Sequence, residues 1–117
     1  MPTFKQGDVI RVPFPYTDRS TRQHRPALVM SHGAIGDGGG LLWVVMITSA
    51  ENRRWPGDFE IKDLQGARLP APSIIRPCKM ATIETRHAEP LGRITPALMA
   101  EVSDVIAGLL GLRSRSS

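Results

Sequence analysis

The residues best suited to chemistry are cations and hydroxyls. His24-Arg25-Pro26 stands at the entrance to an apolar segment, where an imidazole and a guanidinium are otherwise unexplained. Farther along, Arg53 and Arg54 precede Trp55 in the polar stretch Ser49–Gly57. Cations beside an aromatic suit a single-stranded nucleic acid, because bases stack on the ring while arginines hold phosphates. A half-buried tryptophan capping a barrel is the alternative. Three other chemistries find little support. His24, His32 and His87 are not at paired metal-ligand spacing and Cys78 is the lone cysteine, so no metal or other cofactor is expected. No G-x-S-x-G elbow marks a serine hydrolase. The glycines of Gly33–Gly40 precede a strand pattern and not a helix, so they lack the helix N-terminus that cradles phosphate and read as a turn. Arginines and hydroxyls remain, a set able to stabilise a phosphorane or a phosphate oxyanion. RNA brings its own nucleophile, the 2′-OH. Cleaving it requires a base for that hydroxyl, a cation for the developing charge and an acid for the leaving 5′ oxygen.

The charge points the same way. Lys and Arg number 15 against 11 acidic residues, and the pI is about 10.0, which favours anionic partners, nucleic acid first. Arginine, the planar bidentate phosphate binder, supplies most of the cations. A solvated basic surface would carry the same charge. With 117 residues, 41% of them apolar, and no apolar run of 18, the chain reads as one folded domain over residues 1–112 with a polar tail, 113–117, and no membrane span. The single cysteine and an N-terminus without a signal-peptide pattern fit a cytoplasmic protein.

These side chains need a scaffold, and its elements are mostly strands. Val9, Ile10, Val12 and Phe14 predict a first strand, with Pro13 and Pro15 making its end an edge or a bulge. A polar loop, Tyr16–Arg25, leads to a buried strand over Ala27–Met30. Leu41–Thr48 is the most apolar run and predicts the central strand. Asp58–Ile61 predicts a short strand and Lys62–Pro72 a loop. Ser73–Arg76 and Met80–Glu84 predict strands separated by Pro77-Cys78-Lys79, and His87–Ile94 a last one. The one strong helix is Thr95–Leu112, capped by Thr95 with Pro96 in its first turn and an apolar stripe of Leu98, Val102, Val105, Leu109 and Leu112, widened by Met99, Ile106 and Leu110. Short strands at about ten-residue spacing without βαβ units predict a mainly β fold: a small, strongly curved antiparallel sheet or barrel with a C-terminal helix.

Gly7-Asp8-Val9, Phe14, Arg25-Pro26-Ala27-Leu28-Val29-Met30-Ser31, Ile47-Thr48-Ser49 and Thr82-Ile83-Glu84, followed by a leucine-rich helix, together resemble the MazF/PemK toxin family over nearly the whole chain. The resemblance implies an SH3-like barrel and a homodimer with single-stranded RNA along its groove. It implies metal-independent, sequence-selective cleavage to a 2′,3′-cyclic phosphate and a 5′-OH. It also implies a cognate antitoxin whose acidic and apolar C-terminal tail fills that groove. Carried over, Arg25 matches the family's catalytic arginine, as acid or transition-state cation, and Thr48 the hydroxyl that binds the scissile phosphate. His24 is a neighbouring imidazole and Ser49 a second donor. Arg76 falls on a basic position of the PemK branch and Lys79 adds charge, whereas Cys78 stands where that branch has an acidic residue assigned as base. The general base is therefore unassigned. The RNA-contacting loops would be those of Asp18, Arg19, Arg22 and Gln23 and of Arg53, Arg54 and Trp55. Two other functions stay open: a toxin of the same barrel that inhibits a protein such as DNA gyrase, which would use a terminal-helix tryptophan this helix lacks, and a non-catalytic RNA-binding barrel.

Overall fold

The computed structural model describes residues 3–13 and 23–112. Six strands form one sheet in the order β4-β5-β3-β2-β1-β6, every neighbour antiparallel. They are β1 (Asp8–Pro13), β2 (His24–Val29), β3 (Leu41–Ser49), β4 (Phe59–Glu60), β5 (Ser73–Glu84) and β6 (Glu89–Arg93). One helical turn, α1 (Leu64–Ala67), follows β4, and the chain's long helix, α2 (Pro96–Leu109), follows β6.

Side-chain alternation builds two apolar layers, one on each face of the sheet. Val9, Leu28, Val45, Ile47 and Ile75 pack beneath Met99, Val102 and Ile106 of α2. Their neighbours Ile10, Val12, Ala27, Val29, Val44 and Met46 point the other way and pack with Phe4, Leu42, Ile83 and Ala88. Each fully buried aliphatic side chain contributes about 1.5–3 kcal/mol of transfer free energy. Because both faces are covered, β3 is apolar almost throughout and lies between β2 and β5, as a central strand should.

The sheet curls, and α1 joins its edges. Register on the β1–β6 pair slips by one residue between Val9 and Ile10, a bulge that sharpens the local twist. The two edge strands β4 and β6 do not pair. Instead α1, leaving β4, packs against β6, and the approach is so close that a Cβ on Gly92 would lie 2.4 Å from the Gly66 carbonyl oxygen. Only glycine permits that closure. Asp63 caps α1, accepting from the Gly66 N–H at 3.0 Å, and Arg68 ends it in the left-handed region at φ 59°.

Several boundaries differ from expectation. His24 and Arg25 are the first residues of β2 and not the end of a loop, because they pair with Pro13 and Val12 of β1. Phe14 and the loop residues 14–22 lie outside the described residues. Lys62–Pro72 is not wholly loop, since it contains α1. The two strands expected around Pro77-Cys78-Lys79 are one. Val45 opposes Met80 and the next residue, Met46, opposes Arg76, so the β3 ladder skips Pro77, Cys78 and Lys79 and resumes on both sides. The proline does interrupt the pairing, but a long bulge in a strand held by β3 absorbs it. The α2 stripe is centred on Met99, Val102 and Ile106, and Leu109, Leu110 and Leu112 at its end are exposed. Thr95 caps the helix as expected, accepting from the Leu98 N–H at 3.2 Å.

Candidate functional site

The site lies where β2 and β3 part. These strands pair only from Ala27 to Val29 against Val44 to Met46. Continued by the same register, Pro26 would oppose Ile47 and Arg25 would oppose Thr48. Pro26 has no N–H to continue the ladder, and this end of β2 pairs with β1 alone. A small cleft of about 40 Å³ opens between the strands, lined by Arg25, Met46, Ile47, Thr48, Arg76 and Lys79. That is more than the ~10–15 Å³ of probe-occupied space that one water needs, so the cleft admits an oxygen of a bound group. Alternation sets Arg25 on the face of Ala27 and Val29, and Thr48 on the face of Met46, which Arg76 opposes from β5. The three side chains therefore leave the sheet on one side. No lining residue is acidic among those described.

Arg76 is held in place and only partly offered to the cleft. Its side chain is 9% exposed and that of Asp58 1%, and the two meet as a buried pair at 2.9 Å. Nε donates to both Asp58 oxygens at 3.3 and 3.2 Å, and Nη2 donates to Asp58 Oδ2 and, at 2.6 Å, to the Arg53 carbonyl. The guanidinium also stacks on Trp55, 4.2 Å from the ring centroid, a cation–π contact strengthened by desolvation. Asp58 in turn accepts from the Trp55 N–H at 2.8 Å, across the Pro56-Gly57 turn in which Gly57 takes φ 88°. Arg76 thus pins the loop of residues 50–58, and Asp58 balances its charge. Arg25 and Lys79 are the other cations lining the cleft.

The remaining candidates distribute around this centre. Thr48 is half-buried and its Oγ1 accepts from Asn52 Nδ2. Ser49 is exposed, and its Oγ accepts from the Glu51 N–H at 3.2 Å, so it shapes the loop. Gln23 and His24 are exposed at the mouth of β2, beside Arg25. Arg53 and Arg54 are exposed on the pinned loop, and Trp55 keeps 41% of its surface in solvent. Cys78 is exposed in the β5 bulge, its Sγ 3.9 Å from the Pro56 carbonyl oxygen and outside the cleft lining. Asp18, Arg19 and Arg22 lie outside the described residues. Sequence reasoning missed Asp58 and Asn52. The Trp-Pro-Gly-Asp run is a turn signal with an Asx acceptor, but nothing in it announces an arginine eighteen residues away.

Six antiparallel strands curled about their core, a C-terminal helix and a cationic cleft at a strand fork define a small barrel of the MazF type. A chain from the crystal structure of MazE–MazF (form II) from Deinococcus radiodurans superposes with a TM-score of 0.75 at 23% identity, covering 96% of this chain and 99% of that one. An endoribonuclease in complex with its cognate antitoxin from a mycobacterial species gives 0.72 at 21% identity, over 98% of this chain and 100% of that one. No curated protein sequence matches the chain. The model of the PemK-like, MazF-like toxins of type II toxin–antitoxin systems matches residues 5–110, and the chain belongs to that family.

Proposed function

We propose that this toxin is a metal-independent, sequence-selective endoribonuclease of single-stranded RNA. The observation that carries the reading is the convergence of Arg25 and Thr48 on one cleft at the fork of β2 and β3. The RNA 2′-oxygen attacks the adjacent phosphorus as its proton passes to solvent, the bond from phosphorus to the 5′ oxygen breaks as that oxygen takes up a proton, and a 2′,3′-cyclic phosphate and a 5′-OH result. Arg25 neutralises charge growing on the non-bridging oxygens and the leaving oxygen, and Thr48 donates to the phosphate. Charge stabilisation and holding the 2′-OH in line both contribute to the rate, and the general base remains unassigned. Arg53, Arg54 and Trp55, with Asp18, Arg19, Arg22 and Gln23, hold the flanking nucleotides and set the sequence preference.

The protein acts as a homodimer, a reading supported by the exposed Leu109, Leu110 and Leu112 and by exposed Trp43 and Met80 on the paired strands β3 and β5. Its inhibitor is a cognate antitoxin with an acidic and apolar tail. The basic pI and the structural neighbours, one a MazE–MazF structure and one an endoribonuclease with its antitoxin, support that partner. Incubating the protein with single-stranded RNA of mixed sequence in EDTA tests the activity. Discrete fragments with 5′-OH and cyclic-phosphate ends are expected, and Arg25→Ala or Thr48→Ala should abolish them with the melting temperature unchanged. RNA left intact across varied sequences would overturn the reading and favour a protein-binding or RNA-binding barrel.

A further inference from the structure

Asn52 follows Thr48 by four residues, and its Nδ2 donates to the Thr48 hydroxyl oxygen. The chain around it is anchored on both sides. The Ser49 carbonyl accepts from the Asn52 N–H at 3.0 Å, and the Ser49 hydroxyl accepts from the Glu51 N–H at 3.2 Å. Immediately beyond, the Arg53 carbonyl accepts from buried Arg76 at 2.6 Å. The amide is thus carried on a braced turn that folds it back over Thr48, and not on a free loop.

A threonine hydroxyl has one proton and two lone pairs. When a lone pair is occupied by an amide N–H, the hydroxyl proton must be directed away from that amide. Thr48 lines the cleft with Arg25 and Arg76, so the proton has the cleft as its outlet. Phosphodiester oxygens accept hydrogen bonds and donate none. A hydroxyl free to rotate would spend part of its time presenting both lone pairs to them, whereas one already accepting from Asn52 keeps one lone pair turned away and presents its proton more of the time, and the amide polarises that O–H further. The opposite amide orientation, with Oδ1 toward Thr48, would consume the proton.

We infer that Asn52 is a positioning residue that sets the Thr48 hydroxyl as a hydrogen-bond donor to a non-bridging oxygen of the scissile phosphodiester, an inference that rests on the ribonuclease reading. Single-turnover cleavage of a single-stranded RNA by the full chain tests it, together with binding of a 2′-fluoro analogue that has no nucleophile. Asn52→Ala should slow cleavage about five- to tenfold, the effect of one hydrogen bond, with an unchanged melting temperature. Asn52→Asp, whose carboxylate takes the Thr48 proton, should be slower still. On analogue binding, which survives loss of turnover, Asn52→Ala should weaken affinity about threefold in the wild-type background and leave it unchanged when Thr48→Ala is already present. Wild-type cleavage with undiminished cleavage by Asn52→Ala would overturn the inference alone. Equal loss of affinity in both backgrounds would also overturn it, assigning Asn52 to a direct RNA contact. A wild-type protein that cleaves no RNA would overturn both this inference and the function on which it rests.

Discussion

Replacing Asp58 by alanine should be among the most destabilising single changes in this barrel. The substitution leaves the Arg76 guanidinium buried without its anion and removes the acceptor of the Trp55 N–H. Losing one member of a buried ion pair costs about 3–5 kcal/mol, because the desolvated charge that remains has nothing to offset it. Against a total stability on the order of 5–15 kcal/mol for a single domain, that is about a fifth or more. At roughly 4 °C per kcal/mol for a chain of this size, the melting temperature should fall on the order of 15 °C. Urea denaturation at fixed protein concentration, followed by tryptophan fluorescence and by far-UV circular dichroism, gives the value. Asp58→Asn, which keeps one acceptor but not the charge, should lose about half as much. Asp58→Leu with Arg76→Met, which removes both charges, should recover most of the loss, since an apolar pair of similar volume is often as stable as a buried ion pair. An Asp58→Ala protein within about 1 kcal/mol of wild type would refute the reasoning, because it would mean that solvent reaches the pair and screens it.

Gly92→Ala must push β6 off α1, since its Cβ would sit 2.5 Å from the Ala67 carbonyl carbon. A loss of about 2–3 kcal/mol in chemical denaturation is expected from such overpacking, and a neutral result would show that the two edges can separate freely. Removing Arg53 and Arg54, both exposed, should weaken RNA binding, most strongly at low salt. The slope of log affinity on log salt should become shallower by about 0.7 for each single-strand phosphate that the protein no longer neutralises. A salt slope equal to that of the wild type would place the phosphate path elsewhere.

Much of the scaffold and the centre of the candidate site were legible in the sequence. The alternation of apolar residues marks β1, β3 and the paired part of β2, because side-chain direction in a strand depends on nothing beyond the strand. Thr95 and Pro96 mark the start of α2 for an equally local reason, the unpaired N–H groups of a first helical turn. Arg25 and Thr48 were picked out by the motifs around them, and the register sets them across one fork. Pro77 was visible as an interruption. Its outcome was not, because whether a strand ends or bulges is settled by the strand beside it, and β3 holds β5 on both sides of the break.

Local pattern in the chain therefore specifies the elements and the chemistry they carry: a basic, arginine-rich barrel with one cation and one hydroxyl at strand ends. The tertiary structure decided how those groups are used. It moved Arg25 from a loop onto β2, committed Arg76 to Asp58 and Trp55, placed Cys78 outside the cleft lining, and folded Asn52 back onto Thr48. The division has a physical cause. Periodicity and capping act within one or two turns of chain, whereas a buried charge must find its counter-charge wherever the fold brings one, and no local pattern records that distance.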